Sequence, residues 1–585
     1  MARLKYNFTW KKYHRWLGLV LSVFMLVFCV SGIILNHREA FSGCEVSRKW
    51  LPASYHIKNF NNGVVKGTVV KNSGSLAISE GFSDSILVYG CAGVFLTDYQ
   101  LSTWQDFNAG LPKSIDERNV RHLVQARDGS LWCAALRDVY RYDENAQQWK
   151  KVELPGNEER IMDVALGKNS IQVVALTRSR IFEITPIASN IDVSESPSSL
   201  ASSAKGGVSE KSPDIFEKKS GGFSEKVGTF WGKYRVEAKI IPAPKNYEPK
   251  TTLFKLVWHL HSGEFFGLLG KLVVDAIALV LIVLSITGII RFILPYGIRR
   301  AKKLAAKARM KRLGKQFAWN MKWHNKIGYV TIVLTLWIAI TGMCLRPPLM
   351  VPLVLSKLPQ AVGEDGNVWQ DKLRAIRWDA VQGDWLVSTS EGFLRVDEDF
   401  SQAPKMLPDD ECPKLSPMGV TVWESDGKGG WIVGSFRGIY RWNPVNHKSQ
   451  ILDYFTNEPC VETSMIPISD NLVCGYSEDF LGGKPLVFDF AKGVEDAKGQ
   501  AVALCNDEPK TSRNEESMSD LICETAPMSL WNVALELHVG RCYSPFLGPL
   551  SDLFVFLSGL LITLVLLSGY IISHRRRKKA QARLK

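Results

Sequence analysis

The sequence has 585 residues and a formal net charge of +14, from 72 Lys and Arg against 58 Asp and Glu. Three stretches without acidic residues hold 24 of the 72 basic residues: Met1–Arg15, Arg291–Lys326 and Arg575–Lys585. The other 48 basic residues are outnumbered by the 58 acidic ones. Because each basic stretch adjoins an apolar run, the net charge indicates membrane topology and argues against a nucleic-acid partner.

Four apolar runs are long enough to cross a bilayer, which takes about 20 mostly apolar residues. They are Trp16–Leu35, Phe265–Leu294, Ile327–Leu345 and Phe546–Ser573. The first exceeds the roughly 7–15 apolar residues of a signal peptide and no small-x-small cleavage site follows it, so we expect an uncleaved anchor. The positive-inside rule puts the three basic stretches, and with them both termini, in the cytoplasm.

The predicted organisation alternates between cytoplasm, membrane and outside. In chain order we expect a cytoplasmic N-terminus 1–15, a first span 16–37, an outer segment 38–258, a second span with its outer flank 259–294, a basic cytoplasmic loop 295–322, a third span 323–345, an outer segment 346–535, a fourth span with its outer flank 536–573 and a basic cytoplasmic tail 574–585. Residues 187–226 are rich in Ser, Gly, Lys, Glu and Pro, which predicts a flexible insertion.

The two outer segments predict all-β structure. Short runs rich in Val, Ile, Trp and Tyr alternate with Gly, Asp and Asn turns. One plan of glycine turn, apolar strand, second turn and aromatic strand occurs at 128–143, 382–397 and 429–443, and more weakly around Val88–Tyr99 and Val173–Ile184. This plan resembles the blades of β-propellers, which bury their faces only against neighbouring blades.

About three such copies fall in each outer segment, which is few for a propeller of ~4–8 blades. We therefore predict that both segments build one β-propeller-like, extracytoplasmic domain. Two separate β domains are the alternative.

A helical motif around a histidine occurs twice. His14 begins His-x-x-x-Gly, an apolar run and Ser31-Gly, and His324 begins His-x-x-x-Gly, an apolar run and Thr341-Gly. Each histidine precedes its hydroxyl residue by 17 positions. An internal match of this kind indicates one structural unit used twice, so the four spans are predicted to form a two-fold internal repeat.

The second and fourth spans also match each other. His261 leads into a span that carries Thr287-Gly, and His538 leads into one that carries Ser568-Gly. His14 and His324 are thus predicted at the cytoplasmic ends of their spans, while His261 and His538 are predicted at the outer ends. If the halves pack about a pseudo-twofold axis, each matched pair can converge.

Converging histidines on facing membrane helices can hold a cofactor. Neutral imidazole is a good ligand of haem iron, so two haems near opposite faces would form a route for electrons across the bilayer. A lone histidine at a helix end is more often interfacial, but four in matched pairs favour ligation. His37 has no partner after the third span, and it could replace or supplement an outer ligand. Asp275 and Asp552 are either functional or simply helix-start residues.

The ordered set of His14-Arg-Trp-Leu-Gly, Leu260-His-Ser-Gly, Trp323-His-Asn-Lys-Ile-Gly and Leu537-His-Val-Gly-Arg resembles the PepSY-associated transmembrane helix family. The resemblance implies a bacterial inner-membrane protein linked to iron uptake. It also implies a possible ferrisiderophore reductase with two b-type haems on membrane histidines, which here would be His14, His324, His261 and His538. One departure is that the outer segments carry blade-like repeats where the family usually has PepSY modules.

The preferred hypothesis is an oxidoreductase. Electrons from a cytoplasmic donor or the quinone pool would cross two haems to a periplasmic acceptor such as a ferric chelate. The alternative is a sensor or binding module whose helices only anchor the outer β domain. A transporter is less consistent with four spans that hold few charges. The catalytic residues are not identifiable from the sequence.

Overall fold

A computed structural model describes residues 2–71, 85–101, 103–187, 229–231, 234–360, 362, 365–416, 418–445, 451–460, 471–504, 522 and 526–584. Beyond residue 187, the predicted insertion at 187–226 lies outside the described residues. The chain divides into two compact units. The helical unit comprises Met1–Pro52, Glu248–Gln360 and Met528–Lys585, and the β unit comprises Ala53–Tyr247 and Ala361–Pro527.

The helical unit is built from long apolar helices and short helices that precede them. Its α-helices are α1 Ala2–Asn36, α2 Arg38–Phe41, α3 Leu253–Ser262, α4 Gly267–Lys303, α5 Lys307–Val330, α6 Ile332–Cys344, α7 Met350–Leu355, α8 Leu530–His538, α9 Ser544–Leu547 and α10 Ser551–Leu584. Short 3₁₀ helices occur at Arg48–Trp50, Glu264–Phe266, Arg541–Tyr543 and Gly548–Leu550. A further 3₁₀ helix, Ala53–Tyr55, opens the β unit.

Among the described residues, three helical stretches are long and apolar enough to cross a membrane: Lys12–Asn36, Glu264–Lys303 and Arg541–Ala582. They contain the first, second and fourth predicted runs. The third run is divided between α5 and α6, which meet at a bend of 68°. Because α6 has 13 residues, it is roughly 20 Å long, which is shorter than a bilayer core of about 30 Å. The pair gives a fourth span only if both helices take part.

The spans pack through small and apolar side chains. Cys29, Ile277 and Leu281 form a buried cluster against which Trp337 and Leu566 pack. Large apolar side chains on the outer faces of the spans stay exposed, which suits helices whose surroundings are lipid: Leu268, Leu269, Val333 and Leu564.

Two small sheets join the ends of the helical segments. Glu45–Val46 pairs antiparallel with Met528–Ser529, and Lys250–Thr252 pairs antiparallel with Lys357–Pro359. As a result, the residues that flank the β unit belong to the helical unit, and the β unit is shorter at each end than the predicted outer segments 38–258 and 346–535.

In the part of the β unit that the structure describes, the strands form six antiparallel sheets of three to five strands. Their strands, in chain order, are sheet 1 Gly67–Lys71, Ser85–Gly90, Gly93–Thr97 and Trp104–Asp106; sheet 2 His122–Gln125, Leu131–Ala134, Val139–Asp143 and Gln148–Val152; sheet 3 Ile161–Leu166, Val173–Thr177, Ile181–Pro186, Thr229–Trp231 and Tyr234–Lys239; sheet 4 Leu373–Asp379, Asp384–Thr389, Gly392–Val396 and Lys405–Met406; sheet 5 Val422–Ser425, Trp431–Ser435, Gly438–Trp442 and Leu452–Asp453; sheet 6 Val473–Ser477, Leu486–Asp489 and Gly493–Asp496.

Each of the five sequence copies covers the second and third strands of one of sheets 1 to 5. Hydrophobic clusters join each sheet to the next in sequence order. A further cluster joins sheet 6 to sheet 1, with Phe488 and Ile86 both fully buried. Strands from both outer segments therefore share one set of cores within a single compact unit.

A charged network ties the first strands of sheets 2, 3 and 4. Arg377 donates to Asp163 at 2.6 Å and to His122 Nε2 at 3.2 Å. His122 Nδ1 lies 2.6 Å from the Val164 carbonyl and 3.2 Å from Asp163. Burial by itself raises the pKa of Asp163, but the Arg377 charge and hydrogen bonds from His122 and the Ile376 amide outweigh it, so this pKa is lowered. Both nitrogens of His122 are thus committed to holding the sheets together.

Candidate functional site

Two of the four matched histidines lie in the last turn of short helices that precede the spans. The Thr252 hydroxyl caps α3 by accepting from the Lys255 amide, and the Ser529 hydroxyl caps α8 in the same way. Gly263 follows α3 at φ 78° and Gly540 follows α8 at φ 86°. The chain therefore turns through a left-handed glycine after each of these two short helices. These caps fix the short helices and place His261 and His538 at their ends.

Each of the four histidines contacts a hydroxyl on a different span. The Nδ1–Oγ distances are 2.9 Å for His14 and Ser568, 2.8 Å for His324 and Thr287, 3.0 Å for His261 and Thr341, and 2.9 Å for His538 and Ser31. The hydroxyls belong to the four Ser/Thr-Gly pairs of the sequence. The spacing made these pairs visible, but it did not show which histidine each of them contacts.

The hydrogen bonds decide where each imidazole carries its proton. Every one of the four hydroxyls donates to a carbonyl three or four residues earlier in its own helix, so its oxygen accepts from the histidine. For His14, Nδ1 also lies 3.1 Å from the Val565 carbonyl, which can only accept. Nδ1 is therefore the protonated nitrogen, and Nε2 of each neutral ring is an unprotonated base.

The glycines beside these hydroxyls make room for the rings. A Cβ on Gly342 would lie 2.8 Å from His261 Cε1, and one on Gly569 would lie 2.9 Å from His14 Cε1. At Gly32 the distance to His538 is 3.3 Å, and at Gly288 the distance to His324 is an ordinary 3.8 Å. The sequence left open whether the small pairs serve helix packing or a cofactor. Their contacts show that they hold imidazoles.

His261 and His538, which we call the far-end pair, lie close together. Their ring centroids are 6.1 Å apart, with 52° between the ring planes. Two imidazoles that bind one metal from opposite sides, with metal–nitrogen distances of about 2 Å, have centroids about 6 Å apart. A separation of this size would let both rings of the far-end pair hold one metal centre.

His14 and His324, which we call the basic-end pair, line one cavity within the helical unit. The space within the cavity, including its open mouth, is about 1000 Å³. Arg15, Arg291 and Asn325 also line it. Along α1, His14 precedes Ser31, the contact of His538, by 17 residues, or roughly 25 Å of helix.

The donor set fits a haem better than a bare metal ion. Within the described residues, no group of three or more His, Cys, Asp and Glu side chains could hold a metal ion. A haem needs only one or two axial ligands from the protein because the porphyrin supplies the others. Two pairs of Nε2 bases, each with its Nδ1–H held by a second partner, meet that need.

His37 is not brought to either pair. Its Nε2 lies 2.6 Å from Asp275 Oδ2, and Asn36 donates to the same carboxylate at 3.1 Å. Asp552 has a comparable partner in Arg346 at 3.3 Å. Each aspartate near the start of a span thus holds a residue at or just beyond the end of another span, and Nε2 of His37 is already engaged.

The geometry describes a membrane-helix protein with two histidine pairs, and sequence comparison agrees with the helical part. The family described as the PepSY-associated TM region matches residues 5–294 and again 292–577, so the chain belongs to this family. No curated protein is significantly similar to it.

Two similar solved structures are extracellular domains of BT4673 from B. thetaiotaomicron, described in one case as a one-component and in the other as a hybrid two-component system. The identities are 10% and 8%, with TM-scores of 0.32 and 0.29. The matches cover 82% and 75% of this chain but only 40% and 39% of the solved chains.

Proposed function

We propose that this protein is a b-type haem oxidoreductase of the bacterial inner membrane, with one haem at each histidine pair. Electrons would enter from a cytoplasmic donor or the quinone pool and leave to a periplasmic acceptor such as a ferric chelate. The observation that carries the proposal is the repeated cradle: four Nδ1–H groups, each held by a hydroxyl of another span, which leaves four Nε2 bases in two pairs.

Bound haem would supply the one-electron chemistry, and the residues of this chain set its conditions. The hydroxyl acceptors orient each ring and raise the basicity of Nε2. The small glycines let each ring lie against a helix, which limits its rotation.

The finer architecture is part of the same proposal. We propose that sheets 1 to 6 are blades of a β-propeller built from both outer segments, because their cores follow one another in order and the last is shared with the first. A two-fold repeat of the spans is supported by the cradles. Exchanging the first span with the third and the second with the fourth converts each histidine–hydroxyl contact into another one.

The positive-inside rule supports cytoplasmic termini and a periplasmic β unit. The acceptor would then meet the far-end pair on the periplasmic side, and the family's link to iron uptake favours a ferric chelate. A membrane-anchored binding module without redox activity is the alternative outcome.

The first test is spectroscopic. Full-length protein purified in detergent after expression with adequate haem should show a b-type Soret band that shifts on dithionite reduction. It should contain about two haems per chain by haemochrome assay. His259→Ala provides the matched control, because it removes a histidine two positions from His261 on the same short helix. A haem-free preparation would reject the oxidoreductase in favour of the binding module.

A further inference from the structure

The cavity of the basic-end pair contains guanidinium groups without a counter-charge. Arg291 lies in α4 and is half-buried against the cavity, while Arg15 directly follows His14. Within the part of the chain that the structure describes, none of the lining residues is acidic, and Arg291 makes no hydrogen bond or ion pair. Arg576 and Arg15, which carry the same sign, act on it electrostatically.

A charged group that is partly removed from water is costly unless it is paired. Like charges nearby add to that cost. A half-buried Arg291 without an acidic neighbour in the cavity lining therefore calls for an anion. Arg is the side chain best suited to bind a carboxylate or phosphate through two parallel hydrogen bonds.

Arg15 and Arg291 both lie close in sequence to residues of the histidine cradles. Arg15 is adjacent to His14, and Arg291 follows Gly288, which backs His324, by three residues. Residues three apart on a helix share a face. Arg291 also acts electrostatically on both His14 and His324. An anion held by these arginines would thus belong to the same molecule that the two imidazoles hold.

We propose that Arg15 and Arg291 bind the carboxylate groups of an anionic tetrapyrrole held by His14 and His324. This inference rests on the proposed haem function and adds the charge of the ligand to it. The basic-end site selects a porphyrin with free carboxylates over one whose carboxylates are esterified. A lipid phosphate headgroup is the other source of a matching anion, and the experiment distinguishes the two.

The test uses full-length protein carrying His538→Ala, so that the far-end pair no longer contributes. Haem-depleted protein is titrated in neutral detergent with haem and with its dimethyl ester, following the Soret band. The free acid should bind at least about tenfold more tightly than the ester, which corresponds to about 1.4 kcal/mol. Adding Arg291→Gln or Arg15→Gln should remove most of that preference. Arg300→Gln, an exposed charge on the same helix, should leave it intact.

A second readout is the reduction potential of the basic-end haem. A nearby positive charge stabilises the reduced haem, which carries one positive charge fewer than the oxidised haem. Arg291→Gln removes that charge and should therefore lower the potential. A tenfold change in the reduction equilibrium is about 59 mV for one electron. Arg291→Lys, which keeps the charge, should keep most of the potential. A purely structural role of Arg291 would not produce this difference between Gln and Lys.

The outcomes separate the inference from the function beneath it. Equal binding of acid and ester, or a preference that survives Arg291→Gln, overturns the carboxylate assignment while the haem function stands. A preference that appears only when anionic lipid is left out, and vanishes on adding it, assigns the arginines to lipid phosphate and also overturns the proposal. Failure of the unmutated protein to bind any haem rejects the proposed function itself.

Discussion

Half-buried histidines occur in both units of this protein, but they use their nitrogens differently. His122 in the β unit engages Nδ1 with a carbonyl and Asp163, and it accepts from Arg377 at Nε2. The four histidines of the helical unit engage Nδ1 alone. No described residue makes a hydrogen bond to their Nε2 atoms. A histidine with both nitrogens committed is a structural element, whereas one with a held Nδ1–H and an open Nε2 is prepared for a ligand.

The largest expected effect comes from removing one histidine of each pair. His324→Ala and His538→Ala should each remove about half of the haem, and the double variant should remove nearly all of it, because each pair loses an axial ligand. His122→Ala should keep the full haem content, measured as haem per chain. Loss of haem in the His122→Ala variant, or full haem in the double variant, would contradict the assignment of His122 as structural and of the other four histidines as ligands.

The next effect concerns the glycine that backs each ring. Gly342→Ala puts a Cβ 2.8 Å from His261, so the ring must shift, and such overpacking costs about 1–3 kcal/mol. We expect reduced haem occupancy and a changed spectrum for the far-end site. Gly288→Ala is the matched control, because its Cβ would be 3.8 Å from His324. Similar haem occupancy in the Gly342→Ala and Gly288→Ala variants would contradict the idea that the glycines make room for the imidazole rings.

In the β unit, we expect substitution in the network around His122 to change stability rather than haem content. Asp163→Asn leaves Arg377 buried without its partner, which costs about 3–5 kcal/mol for such a pair. Denaturation followed by tryptophan fluorescence should show this loss at neutral pH, while haem content stays unchanged. Glu158→Gln, at an exposed position of the same unit, should behave like the wild type.

The pH dependence of that loss has a definite sign. The pKa of Asp163 is lowered in the folded protein, so its contribution is complete above the unfolded value of about 3.9. It disappears as the pH falls through the folded pKa. The gap in stability between wild type and Asp163→Asn should therefore narrow in acid. A gap that is constant down to the lowest accessible pH would show that charge is not its cause.

The smallest effect should follow from removing one hydroxyl. Thr341→Val takes away the hydroxyl that accepts from His261 Nδ1 and keeps the size of the side chain. We expect haem to be retained with a loss of about 1 kcal/mol in affinity, because one hydrogen bond is removed. Haem titration of the Thr341→Val and wild-type proteins measures this difference. Complete loss of the far-end haem would mean that this hydroxyl is essential for orienting the ring.

Much of this arrangement is readable from the sequence because hydropathy and spacing are one-dimensional signals. The apolar runs locate three spans directly, and the 17-residue spacing from His14 to Ser31 marks the motif. The sequence does not show which histidine contacts which hydroxyl. Ser31 contacts His538 and not His14, although Ser31 and His14 lie on the same span. That depends on which helices become neighbours, which residue spacing along one helix does not encode.

Two other features also escaped the sequence signals. The bend at Thr331 lies inside an unbroken apolar run without proline or glycine at the break, so no local residue marks it. Sheet 6 begins with Val473–Ser477 and lacks the tryptophan-containing plan of its neighbours, although Tyr476 and Phe488 fill its cores. In both cases tertiary packing decides the local structure.

The contact between His14 and Ser568 has a consequence for biogenesis. His14 is translated early, but the hydroxyl that holds it follows 554 residues later, whereas His324 follows Thr287 by only 37 residues. One half of the basic-end pair can be in place when the third span is inserted, and the other half must await the fourth. If a cofactor binds at that end, its loading would follow completion of the chain, and a chain truncated after the third span would leave a membrane intermediate with His324 held and His14 without its hydroxyl contact.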